Sequence, residues 1–185
     1  MPAPLTAANV EPRTQPMIEA EHLDLRPLRR QDADLLALYA ADRRVAEGTR
    51  SIPHPLTKSA IAEYIDAALA PDRDEDVWAI DGWRHGSANL LGVISLKHLD
   101  RSQSQIGYWV APAFWHGGIA SQAVRGLLAA NPHHNRTVFA EVFQDNPVSA
   151  RLLTNSGFEY IGDAEAWSIA RNAAVPTWTY LRRMG

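Results

Sequence analysis

The chain has 185 residues, 46% of them hydrophobic, which is enough for one well-cored domain and not clearly enough for two. Its formal net charge is −3, from 21 acidic and 18 basic residues, and no basic stripe stands out, which argues against a nucleic-acid partner. Cysteine is absent, which excludes disulfide scaffolding and thiolate catalysis and is compatible with a cytoplasmic setting; no apolar run approaches ~18 residues and no secretory pattern opens the chain, so no membrane partner is expected.

Residues 1–17 hold four of the twelve prolines and read as a flexible extension ahead of a single domain at 18–185. That extension could also fold over the domain or over a partner subunit, which leaves a homodimer open. His22 to Leu28 alternates and predicts the first strand. Asp32 to Val45 puts Leu35, Leu38, Tyr39 and Val45 on one side of a helix. A loop over 48–56 follows, and Thr57 caps a second helix in which Ile61, Tyr64, Ile65, Ala68 and Leu69 share a face. Strands are predicted at Asp76 to Ile80 and Leu90 to His98, joined through an Asp81-Gly82 turn and a polar loop.

The next strand is the central one: Ile106, Tyr108 and Val110 alternate with Gly107 and Trp109 until Pro112 ends the ladder. From Ile119 a helix carries Ala120, Ala123, Val124, Leu127 and Leu128 on one face and ends at Asn131-Pro132. Thr137 to Phe143 is a strand. Asn146 then serves as N-cap, Pro147 as first helical residue and Gly157 as C-terminal stop of a short helix. Phe158 to Ile161 and Val175 to Leu181 supply the last strands. This order predicts an α/β (α+β) fold, a mixed sheet with helices on both faces.

The junction at Gly117-Gly118 has two readings. A helix start carries free N–H groups and a positive dipole end, and residues without side chains let a phosphate approach them. The same pair also suits a tight turn that needs glycine only for its φ angles.

Trp115-His-Gly-Gly118-Ile-Ala120 resembles the acetyl-CoA loop of the GNAT superfamily, usually Arg/Gln-x-x-Gly-x-Gly/Ala. An aromatic at Trp115 resembles the RimJ/RimL-like branch, whose usual Trp-Gly-x-Gly is broken here by His116 at the first glycine. A second segment, Asn146-x-x-Ser149 with Gly157-Phe158, resembles the superfamily's Asn-x-x-Ser/Ala-(x)n-Gly-Phe pattern. The resemblance implies a mostly antiparallel sheet whose central strands splay to admit acetyl-CoA. It implies an N-acetyltransferase that passes an acetyl group directly to a primary amine, on a peptide N-terminus or a small molecule, and releases CoA. A non-catalytic acyl-CoA sensor on the same fold is the alternative.

The same resemblance assigns the pyrophosphate to Trp115, His116, Gly117, Gly118, Ile119, Ala120 and Ser121. It puts Trp109, Val110, Ala111 and Pro112 along the pantetheine, together with Asn146. It also implies that backbone amides where the central strand bulges, around Tyr108 to Val110, stabilise the carbonyl oxygen.

Glu141 is the candidate base. It shares a face with Phe139 and Phe143, which predicts a desolvated carboxylate, and it matches the catalytic Glu of RimI-like relatives by position. An ordinary strand residue or an ion pair is the competing reading. The tyrosine acid of those relatives falls here on Leu153, so another acid is needed. Ser149 matches a RimL-like serine that could reach the cofactor sulfur, and is otherwise a helix-start residue. His133 and His134 are adjacent and point apart, so no metal site is expected. His54, His98, Trp167, Trp178, Arg171 and Thr177 are candidates for the acceptor side, with core or loop roles as the alternative.

Overall fold

The computed structural model describes residues 14–185. Eight strands form one sheet in the order β1-β2-β3-β4-β5-β6-β8-β7. They are β1 (Ile18–Glu19), β2 (Asp24–Pro27), β3 (Glu75–Asp81), β4 (Gly92–Leu99), β5 (Gln103–Val110), β6 (Thr137–Phe143), β7 (Glu159–Ser168) and β8 (Ala173–Arg183). Every neighbouring pair is antiparallel except β5 and β6, which run parallel. The helices are α1 (Ala33–Ala40), α2 (Arg43–Glu47), α3 (Ala60–Leu69), α4 (Ile119–Ala130) and α5 (Pro147–Asn155). This is the mixed, mostly antiparallel sheet with helices that the sequence predicts. The first thirteen residues of the expected extension lie outside the described residues. Of the rest, Gln15 donates to Val77 O at 2.7 Å and Pro16 O accepts from the Trp78 indole at 2.8 Å.

Each face of the sheet carries its own apolar layer. Ala123, Val124, Leu127 and Leu128 of α4 and Leu153 of α5 pack on Trp78, Ile94, Ile106 and Val138. Leu36 of α1 and Ile65 and Ala68 of α3 pack on Val77, Ala79 and Val93. The alternation of the strands sorts the residues: Val77 and Ala79 face one layer while Trp78 and Ile80 face the other. Each large apolar side chain so buried stabilises the fold by about 1.5–3 kcal/mol.

A network of buried charge ties β2 to this frame. Arg26 on β2 donates to Asp32 at 2.8 and 2.9 Å, to Asp81 at 2.6 Å and to Asn89 O at 2.8 Å. Such a pair is costly to break from one side, because the remaining charge is left buried.

Three boundaries differ from the sequence expectation. The helix expected over Asp32 to Val45 is two helices, because the Asp42 side chain accepts from Arg44 N at 2.9 Å and starts α2 afresh. Thr57 is not the cap of α3, whose first residue is Ala60. The strand expected at Phe158 to Ile161 runs on to Ser168, with a bulge between Tyr160 and Gly162. It is an edge strand with few buried positions, so its apolar signal is faint.

Candidate functional site

The site begins where β5 and β6 part. Their register runs from Gln103 with Thr137 to Ile106 with Ala140 and stops. Beyond it, Gly107 to Trp109 on one strand and Glu141 to Phe143 on the other line a cavity of about 450 Å³. Residues from the loop after α2 and from α3 close its other side.

The β5 backbone faces this gap with unpaired donors. Ala111 N donates to Leu91 O at 2.8 Å. An antiparallel ladder alternates, so Trp109 and Gly107 turn their amides toward β4, while Val110 and Tyr108 turn theirs away, toward the gap. The expected bulge is absent: the β4–β5 register is continuous from Gly92 with Val110 to Leu99 with Gln103. Splaying from β6 frees these amides instead. Gly92 permits the close crossing beneath them, since a Cβ there would lie 2.2 Å from Trp109 O.

Glu141 points into the cavity from β6, on the face opposite Val138 and Ala140. Its partner is one the sequence did not suggest. Arg50, in the loop after α2, brings Nη1 to 3.4 Å from Oε2; the guanidinium is 54% exposed and the carboxylate 17%. The desolvated carboxylate expected between Phe139 and Phe143 is thus ion-paired, as the competing reading allowed. The Phe143 ring is instead covered by the Arg171 guanidinium, 4.8 Å from its centroid.

Across the gap, Tyr108 Oη and Ser149 Oγ lie 2.7 Å apart. Burial pushes the Tyr108 phenol up to about 12, against the opposing effect of the Ser149 hydrogen bond, so it stays neutral through the physiological range. Ser149 is held from behind: its amide donates to Asn146 Oδ1 at 3.2 Å, the N-cap bond predicted for α5. Asn146 and Ser149 both line the cavity, while Leu153 is fully buried in the core.

Arg171 is a hub that the sequence placed only loosely. Its Nε donates to Glu47 O at 2.9 Å at the end of α2, and its guanidinium binds the Asp145 carboxylate bidentately. Ile169 N donates to Arg50 O at 3.0 Å. The turn between β7 and β8 thus clamps the loop that carries Arg50. Thr177 lines the cavity and is 1% exposed, and its hydroxyl has no hydrogen-bond partner among the described residues.

The glycine junction lies outside the cavity, on the surface. Gly118 is the N-cap of α4 with φ 73°, and no side chain caps the helix. A Cβ at Gly118 would meet nothing within 4 Å, so the approach to the α4 amides is open. No acidic residue stands in the first turn, where Ile119, Ala120 and Ser121 are partly exposed. This donor set fits a phosphate. His116 is exposed and holds φ 66°. Trp115 turns its indole N–H to Val110 O, 2.7 Å away, and the Arg44 guanidinium lies 5.2 Å from its ring centroid. Ala111 is fully buried, and Pro112 opens a short 3-10 turn that leads into the loop.

The remaining candidates fall elsewhere. Trp167 is 56% exposed on β7, Trp178 packs against the main core, and neither lines the cavity. His98 leaves the acceptor side and stacks on His133, with ring centroids 3.6 Å apart and 14° between planes. His133 Nε2 lies 2.7 Å from Asp76 Oδ2, and Arg73 Nε 2.6 Å from Oδ1. Asp76, His98 and His133 thus come within metal-binding distance of one another. Both ring nitrogens of His133 are already engaged, Nδ1 3.1 Å from Ser104 Oγ and Nε2 on Asp76. Arg73 already supplies a cation to Asp76, and the cluster reads as a structural clasp of β3, β4 and the α4–β6 loop.

A family model described as "Acetyltransferase (GNAT) domain" matches residues 22–159. An uncharacterized N-acetyltransferase, YoaA, of Bacillus subtilis (strain 168) is 29% identical over 156 residues, 80% of this chain and 85% of that protein. Among solved structures, a microcin self-immunity acetyltransferase, MccE, with acetyl-CoA and AMP, superposes with TM-score 0.75 at 16% identity, covering 88% of this chain and 93% of that one. RimL, a ribosomal-protein alpha-N-acetyltransferase with coenzyme A, superposes with TM-score 0.76 at 15% identity, covering 91% and 98%. No helix among the described residues is long and apolar enough to cross a membrane.

Proposed function

The chain belongs to the GNAT acetyltransferase family, and on that premise we propose that it moves the acetyl group of acetyl-CoA directly onto a primary amine held between β5 and β6. The observation that carries this reading is the parting of those strands after Ile106 and Ala140, beside an uncapped, glycine-led helix start. A thioester can enter from the α4 side and an amine from the α3 side. Acetyl-CoA supplies the activated acyl carbon; the protein has no cysteine to form an acyl-enzyme.

The chain's own groups divide the work. The α4 amides behind Gly117 and Gly118 hold the pyrophosphate, with Ile119, Ala120 and Ser121 around it. Val110 N and Asn146 border the pantetheine, while the Val110 carbonyl is already satisfied by Trp115. Glu141 takes the proton that the amine loses. The amide of Tyr108 donates to the carbonyl oxygen as it gains charge, while that of Val110, two residues further along the strand, stays with the pantetheine. Ser149 directs its hydroxyl to the departing sulfur, and Tyr108 Oη, 2.7 Å from Ser149 Oγ, is placed to donate to it so that this hydrogen stays free for the task.

Thermal unfolding tests the reading. A ligand at a hundredfold excess over its dissociation constant stabilises by about 2.7 kcal/mol, a shift of several degrees for a domain of this size. Acetyl-CoA and CoA are expected to give it and NAD is not. Absence of a shift with acetyl-CoA would overturn the proposal. Binding without turnover on any amine would leave a non-catalytic acyl-CoA sensor.

A further inference from the structure

The acceptor half of the cavity carries an arrangement of charge that is not needed for acetyl transfer as such. Arg50 and Glu141 reach it from opposite sides, one from the loop after α2 and one from β6. Their 3.4 Å separation is longer than a good charge-assisted hydrogen bond, and Arg50 has no other ion pair among the described residues. With the guanidinium half in solvent and the geometry long, such a pair contributes little to stability, so opening it costs little.

The surroundings narrow what would open it. The Thr177 hydroxyl is buried in the cavity wall without a partner. Thr177 lies opposite Phe143 in the β6–β8 ladder, hence on the same face as Glu141. A buried hydroxyl left unpaired is unfavourable, and an N–H of a bound molecule would satisfy it. Leu36, Ile52, Leu56 and Ile61 give the far wall an apolar surface. The second carboxylate of the cavity, Glu75, already accepts from Ser95 Oγ at 2.6 Å, and Lys97 adds another cation at the rim.

We propose that the acceptor is a free α-amino acid with an apolar side chain, its carboxylate held by Arg50 and its amine by Glu141 and Thr177. This rests on the acetyltransferase reading and specifies its substrate class. A zwitterion exchanges one long ion pair for two closer ones: a forked guanidinium–carboxylate contact and an ammonium–carboxylate contact. The apolar wall then receives the side chain. A polyamine meets Arg50 and Lys97 beside Glu75 and Glu141, a lining without the excess of negative charge that several ammonium groups need, although Lys97 is also paired with Asp74 at 3.7 Å. In the reaction the bound ammonium first releases one proton to solvent; the neutral amine nitrogen then bonds to the acetyl carbon and passes its second proton to Glu141. The C–S bond breaks, and the sulfur takes a proton from Ser149 that solvent replaces. The products are an N-acetylamino acid and CoA.

The test measures CoA release from acetyl-CoA with leucine, leucinamide, a leucine-led dipeptide and spermidine, for the wild type, Arg50→Ala and Arg50→Lys. Leucine should exceed leucinamide in kcat/KM by at least tenfold. That ratio should fall at least tenfold in Arg50→Ala and recover partly in Arg50→Lys, which keeps a point charge without the fork. Thr177→Val should raise the KM for leucine more than it lowers kcat. As a binding readout, leucine should raise the melting temperature of the CoA-bound protein, and spermidine should not. A preference for spermidine, the dipeptide or leucinamide would overturn the inference, as would an unchanged leucine-to-leucinamide ratio in Arg50→Ala. Turnover on one of those amines would leave the acetyltransferase reading intact, whereas failure to bind acetyl-CoA would remove both.

Discussion

His116 stands in the left-handed region, φ 66°, one residue ahead of two glycines. A Cβ there costs roughly 1–2 kcal/mol, partly offset because glycine loses more entropy on folding. His116→Gly should therefore raise stability by about 0.5–1 kcal/mol in chemical unfolding while leaving the α4 start open to acetyl-CoA; a loss of stability would mean that the imidazole makes a compensating contact. Tyr108→Phe removes one hydroxyl from the site. If Tyr108 acts by orienting Ser149, kcat should fall about tenfold, and Tyr108→Phe with Ser149→Ala should be no worse than Ser149→Ala alone. The pH profile between about pH 6 and 10 should keep its shape, since the phenol is neutral up to about 12. Ser149 and Asn146 were legible as cavity residues from a short motif, and Glu141 from the alternation of β6 and its spacing to Asn146. The Tyr108–Ser149 contact was not, since its partners lie 41 positions apart and nothing local marks the pair. Arg50 was missed altogether: it lies in a loop with no periodicity and no motif.

At the scale of elements, the geometry of β5 depends on its neighbours. Gly92 lets β4 cross under Trp109 and Val110, and Gly92→Ala would force that backbone to move. It should cost about 2 kcal/mol and weaken acetyl-CoA binding, because the displaced amides are those facing the gap. The clasp at the other end of the sheet is electrostatic. Burial alone would raise the Asp76 carboxyl, but hydrogen bonds from His133 and Arg73 outweigh it and hold it below its ordinary value. A depressed carboxylate gives stability that is present above its unfolded value, about 3.9, and lost as pH falls through the folded value. Wild type should thus lose stability below about pH 4 more steeply than Asp76→Asn, and that variant should be weaker by about 3 kcal/mol at neutral pH. Urea unfolding across acid pH checks both. Strands and helices with a buried stripe, such as β6 and α4, were legible almost to the residue. The break between α1 and α2 left a signal, Asp42 ahead of a fresh turn, that a single long apolar face obscured. The edge strand β7 left almost none, because exposure removes the alternation by which a strand is recognised.

Over the whole molecule, the cavity belongs to no single segment. Its walls come from the loop after α2, from α3, from β3 to β6, from the start of α5 and from β8. The order of elements made the fold legible, and the two motifs made the cofactor side legible. The opposite wall was legible only at Thr177 and, loosely, at Arg171, because the rest is assembled from loops clamped by long-range contacts, chiefly Arg171 to Glu47 O and Asp145. Turnover of acetyl-CoA, followed as CoA release together with the acetylated product and compared between wild type and Glu141→Gln, tests the central claim most directly. Release should depend on an amine, with kcat in Glu141→Gln lower by about 10²–10³-fold and acetyl-CoA affinity retained. Wild-type turnover in Glu141→Gln would contradict the role of Glu141, and tight acetyl-CoA binding with no acetylated product from any amine would contradict the transferase itself.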